Sequence, residues 1–526
     1  MPRTKTINNF AFGQIDTLEP QSLPRGAVSR GLNFLTQADR IELRLGYKVY
    51  GNKDSSTGKI TGYIVAKTAA GVEWQYRTHG QKLEYYVSAT DTWTEIGTNI
   101  LGASADGKDI SFAEWHPIAG DFVYLNSPYG PFLKIDLATP DTANDVYNAA
   151  TNYKGYIKIA ENRMWLWQRT GDPTGVYISK INDPVDFTYS ATRVAGEGNI
   201  FRQDDGGPTQ KIDTYGTKHF CFHKTKTWVL ELTADDTNAT NQIYRDRVGI
   251  SSPRGSVSTG DGIYYIDDVD QKDPQIRLLA ISESNAEIIP YSISKNILFE
   301  KKRVGIDLSD YLFDKACGEE WNDYILFACR TSDSTQNNRV LAYHKKLKSI
   351  DILNYWVTVF QILSGTLTGG DPVQNNIIQM FTETSDDSSV IENYVELNKD
   401  NLDFAGEKKL KKLRVWGRIG NEQQIKVYAK LDNNADFVEL GTISGSALAA
   451  ADEVMIGSRT VGLTTVGGES SGEDWSEFVS EINITLGRFN YIVLRFEALA
   501  LGTANISRID YFDIRLKSSR LSSNLV

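Results

Sequence analysis

The chain has 526 residues, 40% of them hydrophobic and 23% charged, the balance of an ordinary globular protein long enough to bury a large core without metal or disulfide staples. A formal charge of -11 excludes a chain that wraps nucleic acid along its whole surface, since that needs lysine and arginine to displace counterions. Three irregularly spaced cysteines, Cys221, Cys317 and Cys329, exclude a disulfide scaffold and fit buried thiols in a reducing cytosol.

The 26 Tyr, 21 Phe, 10 Trp and 43 Gly, against 4 Met, favour strands and tight turns over helices. The start, Met1-Pro-Arg-Thr-Lys5, is polar and no apolar segment follows it, so export by the general secretory route is not expected. No run approaches the roughly 18 apolar residues of a membrane-spanning helix. The first fifty residues read as mostly irregular until Arg40–Gly46. There Ile41, Leu43 and Leu45 alternate with Glu42 and Arg44, as in a half-buried strand.

From residue 51 short aromatic strands alternate with Gly, Asp, Asn, Ser and Thr. Glu73-Trp-Gln-Tyr-Arg77, Phe122-Val-Tyr-Leu125, Met164-Trp-Leu-Trp167, His219-Phe-Cys-Phe222, Ile263-Tyr-Tyr-Ile266, Tyr324-Ile-Leu-Phe327 and Trp356–Phe360 are examples. Such strands with regular turn signals predict a sandwich, barrel or propeller. At roughly 40–50 residues per unit, residues 51–395 hold about seven or eight units. The reading is therefore all-β, a β-propeller of roughly six to eight blades, with two packed sandwiches as the alternative. The segment Arg247–Asp268, "RVGISSPRGSVSTGDGIYYIDD", reads as a blade-to-blade corner with Ile263–Ile266 opening the next blade.

Near residue 395 the pattern changes. The basic run Lys408, Lys409, Lys411, Lys412 and Arg414 precedes Gln424–Asp432, in which Ile425, Val427 and Ala429 alternate with polar partners. Phe512, Ile514 and Leu516 share a face in the closing strand, and Ser444–Gly472 reads as a long loop system. The expected organisation is an N-terminal arm and first strand over 1–50, a propeller over 51–395 and a C-terminal β-sandwich over 396–526. The basic run reads either as a lysine-guarded edge strand or as a contact with an acidic subunit or nucleic acid.

Motifs that carry chemistry are scarce. No Walker loop and no Gly-x-Ser-x-Gly elbow occurs. His219 and His223 have the spacing of a zinc pair on a helix. On a strand that spacing separates them by about 13 Å, so no metal site is expected. Asp204-Asp205, Asp267-Asp268 and Asp386-Asp387 invite a two-carboxylate glycosidase reading, but adjacency in sequence says nothing about separation in space, and solvated loop acids are the default. No catalytic residue and no cofactor is assigned.

Four stretches bring a resemblance. Leu23-Pro-Arg-Gly26 through Asn33 with "ELRLGYKVYG", then "DDGGPTQKIDTYGTKHFCFHKTKTWVLEL", then "RVGISSPRGSVSTGDGIYYIDD", and finally "KKLKKLRVWGRI" with "VYAKLDNNADFVELGTI" are similar to β-propeller virion proteins of tailed bacteriophages, including the nozzle proteins of short-tailed phages. Lys48-Val49 and Gln210-Lys211 depart from that pattern. The resemblance implies a non-enzymatic structural protein of the virion tail, assembled in the bacterial cytoplasm. It would form a cyclic homo-oligomer, a hexamer among the candidates, around the DNA exit channel. Other tail or head-tail adaptor proteins would be partners, with passing contact to genomic DNA. The basic residues at 408, 409, 411, 412 and 414 would be the interface candidates. A peripheral receptor-binding or glycan-degrading tail protein is the alternative.

Overall fold

The computed structural model describes the chain apart from residues 1–2, 8, 19–21, 24–26, 55–57, 119, 147–152, 190–193, 233–238, 282–287, 296, 300–301, 384, 390, 401–407, 421–422, 433, 435, 445–474, 485, 487, 501–507 and 519–526. Among the described residues, seven four-stranded antiparallel sheets follow one another along the chain. Sheets 1 to 6 span Ile60–Glu95, Ser111–Asp145, Tyr156–Arg202, Thr209–Asp246, Ser256–Ser292 and Tyr311–Leu353. Sheet 7 takes three strands from Phe360–Glu383 and its fourth from Gly46–Tyr50. The leading strands of successive sheets lie against one another, except that the leading strand of sheet 4 meets the second strand of sheet 3, and that of sheet 7 returns to that of sheet 1. The architecture is all-β and propeller-like.

Stacking sheets around an axis buries both faces of each middle strand, so these strands read as continuous apolar runs rather than as alternating ones. Arg163–Trp167 and Gly262–Asp267 are buried at every position. Tight turns let strands reverse at once. Glu161 and Asn162 both have positive φ, 52° and 55°, and join Ala160 to Arg163 in the left-handed two-residue turn that matches strand twist. At Gly249 a β-carbon would lie 2.3 Å from the His223 carbonyl oxygen, so only glycine fits that corner.

The punctuated loop resolves one strand differently from its sequence reading. Ser256–Thr259 is the leading strand of sheet 5, Thr259 to Gly262 is a hairpin turn, and Ile263–Ile266 lies in the second strand. The leading strand faces the axis with Ser256 and Ser258, so it lacks the aromatic mark of its neighbour.

Both ends of the chain meet in two further sheets. One runs Phe34–Thr36, Ile41–Leu43, Arg508–Ser518, Lys408–Gly420, Trp475–Asn483, with Arg3–Ile7 and Arg488–Phe489 added alongside. The other runs Val28–Leu32, Tyr394–Leu397, Ile492–Ala500, Gln423–Leu431, Val438–Ser444. Ile7, Phe34, Leu43, Leu413, Val415, Val427 and Phe496 belong to the one apolar core they share. Among the described residues the first fifty thus hold five strands, and those at Arg3–Ile7, Val28–Leu32 and Gly46–Tyr50 leave no local signal because their partners lie more than 300 residues away.

A buried polar knot joins these sheets to the ring. The Arg44 guanidinium donates to Asn33 Oδ1 at 2.7 Å, to the Leu45 and Asn354 carbonyls at 3.0 and 3.2 Å, and in a two-pronged pair to Asp386. It lies 4.0 Å over the Tyr355 ring. Asn33 Oδ1 also accepts the Asn354 N–H, and Asn33 Nδ2 donates to the Glu392 carbonyl, each at 2.6 Å. Nearby, the Asp351 carboxyl accepts from the Thr36 N–H at 2.8 Å and from its hydroxyl, and burial pushes its pKa up to about 7.

Two outcomes follow from this junction. Arg44→Leu leaves Asp386 without its guanidinium and is expected to cost about 3 kcal/mol, read as a lower urea midpoint. For Asp351 the folded state holds a proton that the unfolded chain releases near pH 4, so its contribution to stability declines as pH rises from there through about 7. Asp351→Asn should flatten that part of the melting temperature against pH curve; an unchanged slope would show that Asp351 does not govern it.

Candidate functional site

The leading strands enclose an axial cavity of about 530 Å³ to which all seven sheets contribute. Tyr63, Phe112, Tyr156, Val257, Cys317 and Phe360 supply much of its apolar wall. One side chain crosses it. Arg254, at the corner before sheet 5, sends its guanidinium to the Thr61 carbonyl of sheet 1, to the Ile110 carbonyl before sheet 2 at 2.9 Å, and to the Thr358 carbonyl before sheet 7 at 3.2 Å. Asp109 stands 3.6 Å away and also meets Lys59 at 3.4 Å. The Arg254 carbonyl accepts the Gly318 N–H of sheet 6 at 3.0 Å. A planar fork with five donors suits such a bridge, because carbonyls from different sheets converge on one group.

Other charges line the wall. Lys158 of sheet 3 lies 3.5 Å from Asp213 of sheet 4, and that carboxylate also accepts the Ser256 hydroxyl. Lys211 of sheet 4 and Glu319 of sheet 6 face the same cavity. Burial pulls the Lys211 ammonium below the usual lysine range, and burial raises the Glu319 carboxyl to about 7. None of these four charged residues stands out in the sequence as a site. The trace left by Lys158, Lys211 and Asp213 is a charge next to apolar residues in a leading strand, as in Ile157-Lys-Ile159 and Lys211-Ile-Asp213.

The residues singled out by sequence are scattered. His223 is held by Gln203 Oε1 at 2.8 Å and the Gly207 carbonyl at 2.6 Å, whereas His219 stacks 4.0 Å from Trp165 and meets Glu161 at 3.1 Å. Their partners are separate, and among the described residues no group of His, Cys, Asp or Glu could hold a metal ion. The carboxylates hold structure too: Asp205 pairs with Lys226, Asp267 with Arg277 at 2.7 Å and Asp386 with Arg44. All three cysteines are free and buried, and burial raises their thiols.

The basic run occupies Lys408–Gly420, which has neighbours on both sides, so it is an interior strand and the edge-strand reading does not hold. A bulge at Lys411 shifts the pleat, which lets Leu410 and Leu413 both enter the core. Lys409 and Lys411 are exposed, and Lys412 and Arg414 half-buried. Lys408 lies in the strand opposite Ser518 and Phe489.

No family model matches the chain. No curated protein matches it either. Among solved structures, the computationally designed protein Ika8 aligns with 7% identity over 66% of this chain and 95% of its own, at a TM-score of 0.36. The extracellular domain of a hybrid two-component system of B. thetaiotaomicron aligns with 9% identity over 89% of this chain and 64% of its own, at 0.40. That of a second such system aligns with 9% identity over 66% and 45%, at 0.38.

Arg254→Met keeps the aliphatic stem but strips three carbonyls of a charged donor. It is expected to cost about 3 kcal/mol in urea unfolding, and Arg254→Lys, a point charge without the fork, should recover only part of it.

Proposed function

We propose that the chain is a non-enzymatic structural protein of a tailed-bacteriophage tail, built as a seven-bladed β-propeller with a β-sandwich formed by both chain ends. In this reading it assembles as a symmetric ring in the tail wall, where neighbours meet through heterologous contacts. The observation that carries the proposal is where the family-like stretches fall. "ELRLGYKVYG" carries Arg44 into the junction and supplies the strand that completes sheet 7. Residues 204–232 lead into and build the first three strands of sheet 4, and 247–268 make the corner and first two strands of sheet 5. Residues 408–443 supply strands to both terminal sheets. Each stretch thus sits where the architecture implied by the resemblance needs it. The paired state of Asp205, Asp267 and Asp386 supports a scaffold over the glycan-cleaving alternative.

Deleting residues 1–50 is a poor test of assembly, since it removes strands from three sheets. Gold labelling of native particles with an antibody to this chain tests the proposal directly. Label clustered at the tail is expected; particles without label, beside free protein in the host cell, would overturn it. Reversing the exposed Lys409 and Lys411 to Glu should reduce incorporation into particles while shifting stability by no more than about 0.5 kcal/mol.

A further inference from the structure

The axial cavity holds more charge than its own wall satisfies. Lys158 is spoken for by Asp213, the Ile212 carbonyl at 3.4 Å and the Thr214 hydroxyl at 3.5 Å. Arg254 is spoken for by its three carbonyls and Asp109. Glu114 is paired with His116 at 3.1 Å. Two charged groups are left. Among the described residues the Lys211 ammonium donates no hydrogen bond and feels only the fields of the charges around it, Asp213 and Glu319 among them, and the Glu319 carboxyl accepts only the Glu320 N–H, at 3.1 Å. They come from sheets 4 and 6, on either side of the leading strand of sheet 5, and they do not meet as an ion pair.

We propose that the axial cavity binds a small zwitterion of the amino-acid class, its carboxylate on Lys211, its amine on Glu319 and its body among Phe112, Tyr156 and Phe360. The cavity volume, about 530 Å³, lies within the range of small-molecule sites, and an apolar wall with a few convergent polar groups is their usual construction. Both residues are half-buried, and a single cation or anion would pair with one of the two side chains only, whereas one ligand with both charges pairs with both. Burial outweighs the fields of Asp213 and Glu319 on Lys211 and of Lys211 on Glu319 and moves both groups toward their neutral forms, which a bound zwitterion would reverse. Arg254 spans the cavity and holds the corner of sheet 5 against sheets 1, 2 and 7, and its carbonyl accepts the Gly318 N–H next to Glu319, so the sheet 6 wall is braced in advance. The proposal does not depend on a place in a virion.

The test is thermal unfolding of the full chain with each of the standard amino acids at millimolar concentration, against sodium chloride of equal ionic strength. At least one is expected to raise the melting temperature by about 2 °C or more, as a ligand held by the folded state alone must. Lys211→Gln and Glu319→Gln remove uncompensated charges and should melt near the unliganded wild type, yet each should lose that shift. If no amino acid shifts the wild type, or if the shift survives in either variant, the proposal fails. Should one variant not fold, the other decides by the same criterion. Isothermal titration with the best amino acid gives a second reading: its affinity should fall at least tenfold in the folded variant, and unchanged affinity would also overturn the proposal.

Discussion

The ring of sheets rests on one non-local strand pairing. Gly46–Tyr50 must lie beside Ile377–Glu383, with Tyr50 opposite Ile377 and Tyr47 opposite Met380. Without it sheet 7 has three strands and an open edge, and the last sheet is held only by packing on its neighbours, sheets 6 and 1. Some 330 residues must be ordered between the two strands, so the closure is costly in chain entropy and has to be backed by contacts of its own. The Arg44 knot provides them. It stands two residues before the closing strand and fixes that strand's entry through Asn33, Asn354, Tyr355 and Asp386.

The same constraint accounts for the second half of the molecule. Once residue 46 is tied to the outside of sheet 7, the preceding chain and the chain after residue 391 emerge on the same side. They then share sheets: Val28–Leu32 pairs with Tyr394–Leu397, and Arg3–Ile7 with Arg508–Ser518. The apolar core of these sheets therefore draws from both ends, Ile7 and Phe34 from one and Leu413 and Phe496 from the other. Ring closure and terminal packing thus draw on the same N-terminal segment. Around the axis Arg254 plays the corresponding part, gathering carbonyls next to three sheets onto a single guanidinium.

Interior position gives the basic run its meaning. In an edge strand, lysines blunt pairing with other chains. Here both neighbours are present, and the register sets Lys409 opposite Lys517 on one side and Arg488 on the other. Like charges directly across a ladder are unfavourable, so an exposed face carrying them is one the fold itself does not require. That leaves Lys409 and Lys411 as exposed charges on the face of an interior strand.

The sequence by itself determined the class of structure and much of its local grain. Short aromatic strands cut by turn residues fixed an all-β chain, since they offer pleated surfaces and tight reversals but no helical stripe. Alternation at Ile425, Val427 and Ala429 located a half-buried strand, and all three are in the core. Middle strands such as Tyr324–Thr331 were legible because burial on both faces leaves an unbroken apolar run. What only the tertiary structure decided depends on partners far away in the chain: that Arg3–Ile7 and Val28–Leu32 are strands, that Gly46–Tyr50 closes sheet 7, that Lys408–Gly420 is interior. The axial site was hidden for the same reason. Lys158, Lys211, Asp213, Arg254 and Glu319 lie up to 161 positions apart, and only the ring's closure turns their leading strands toward one axis. Local periodicity reports which face of a strand is buried; it carries no record of which other strand that face will meet.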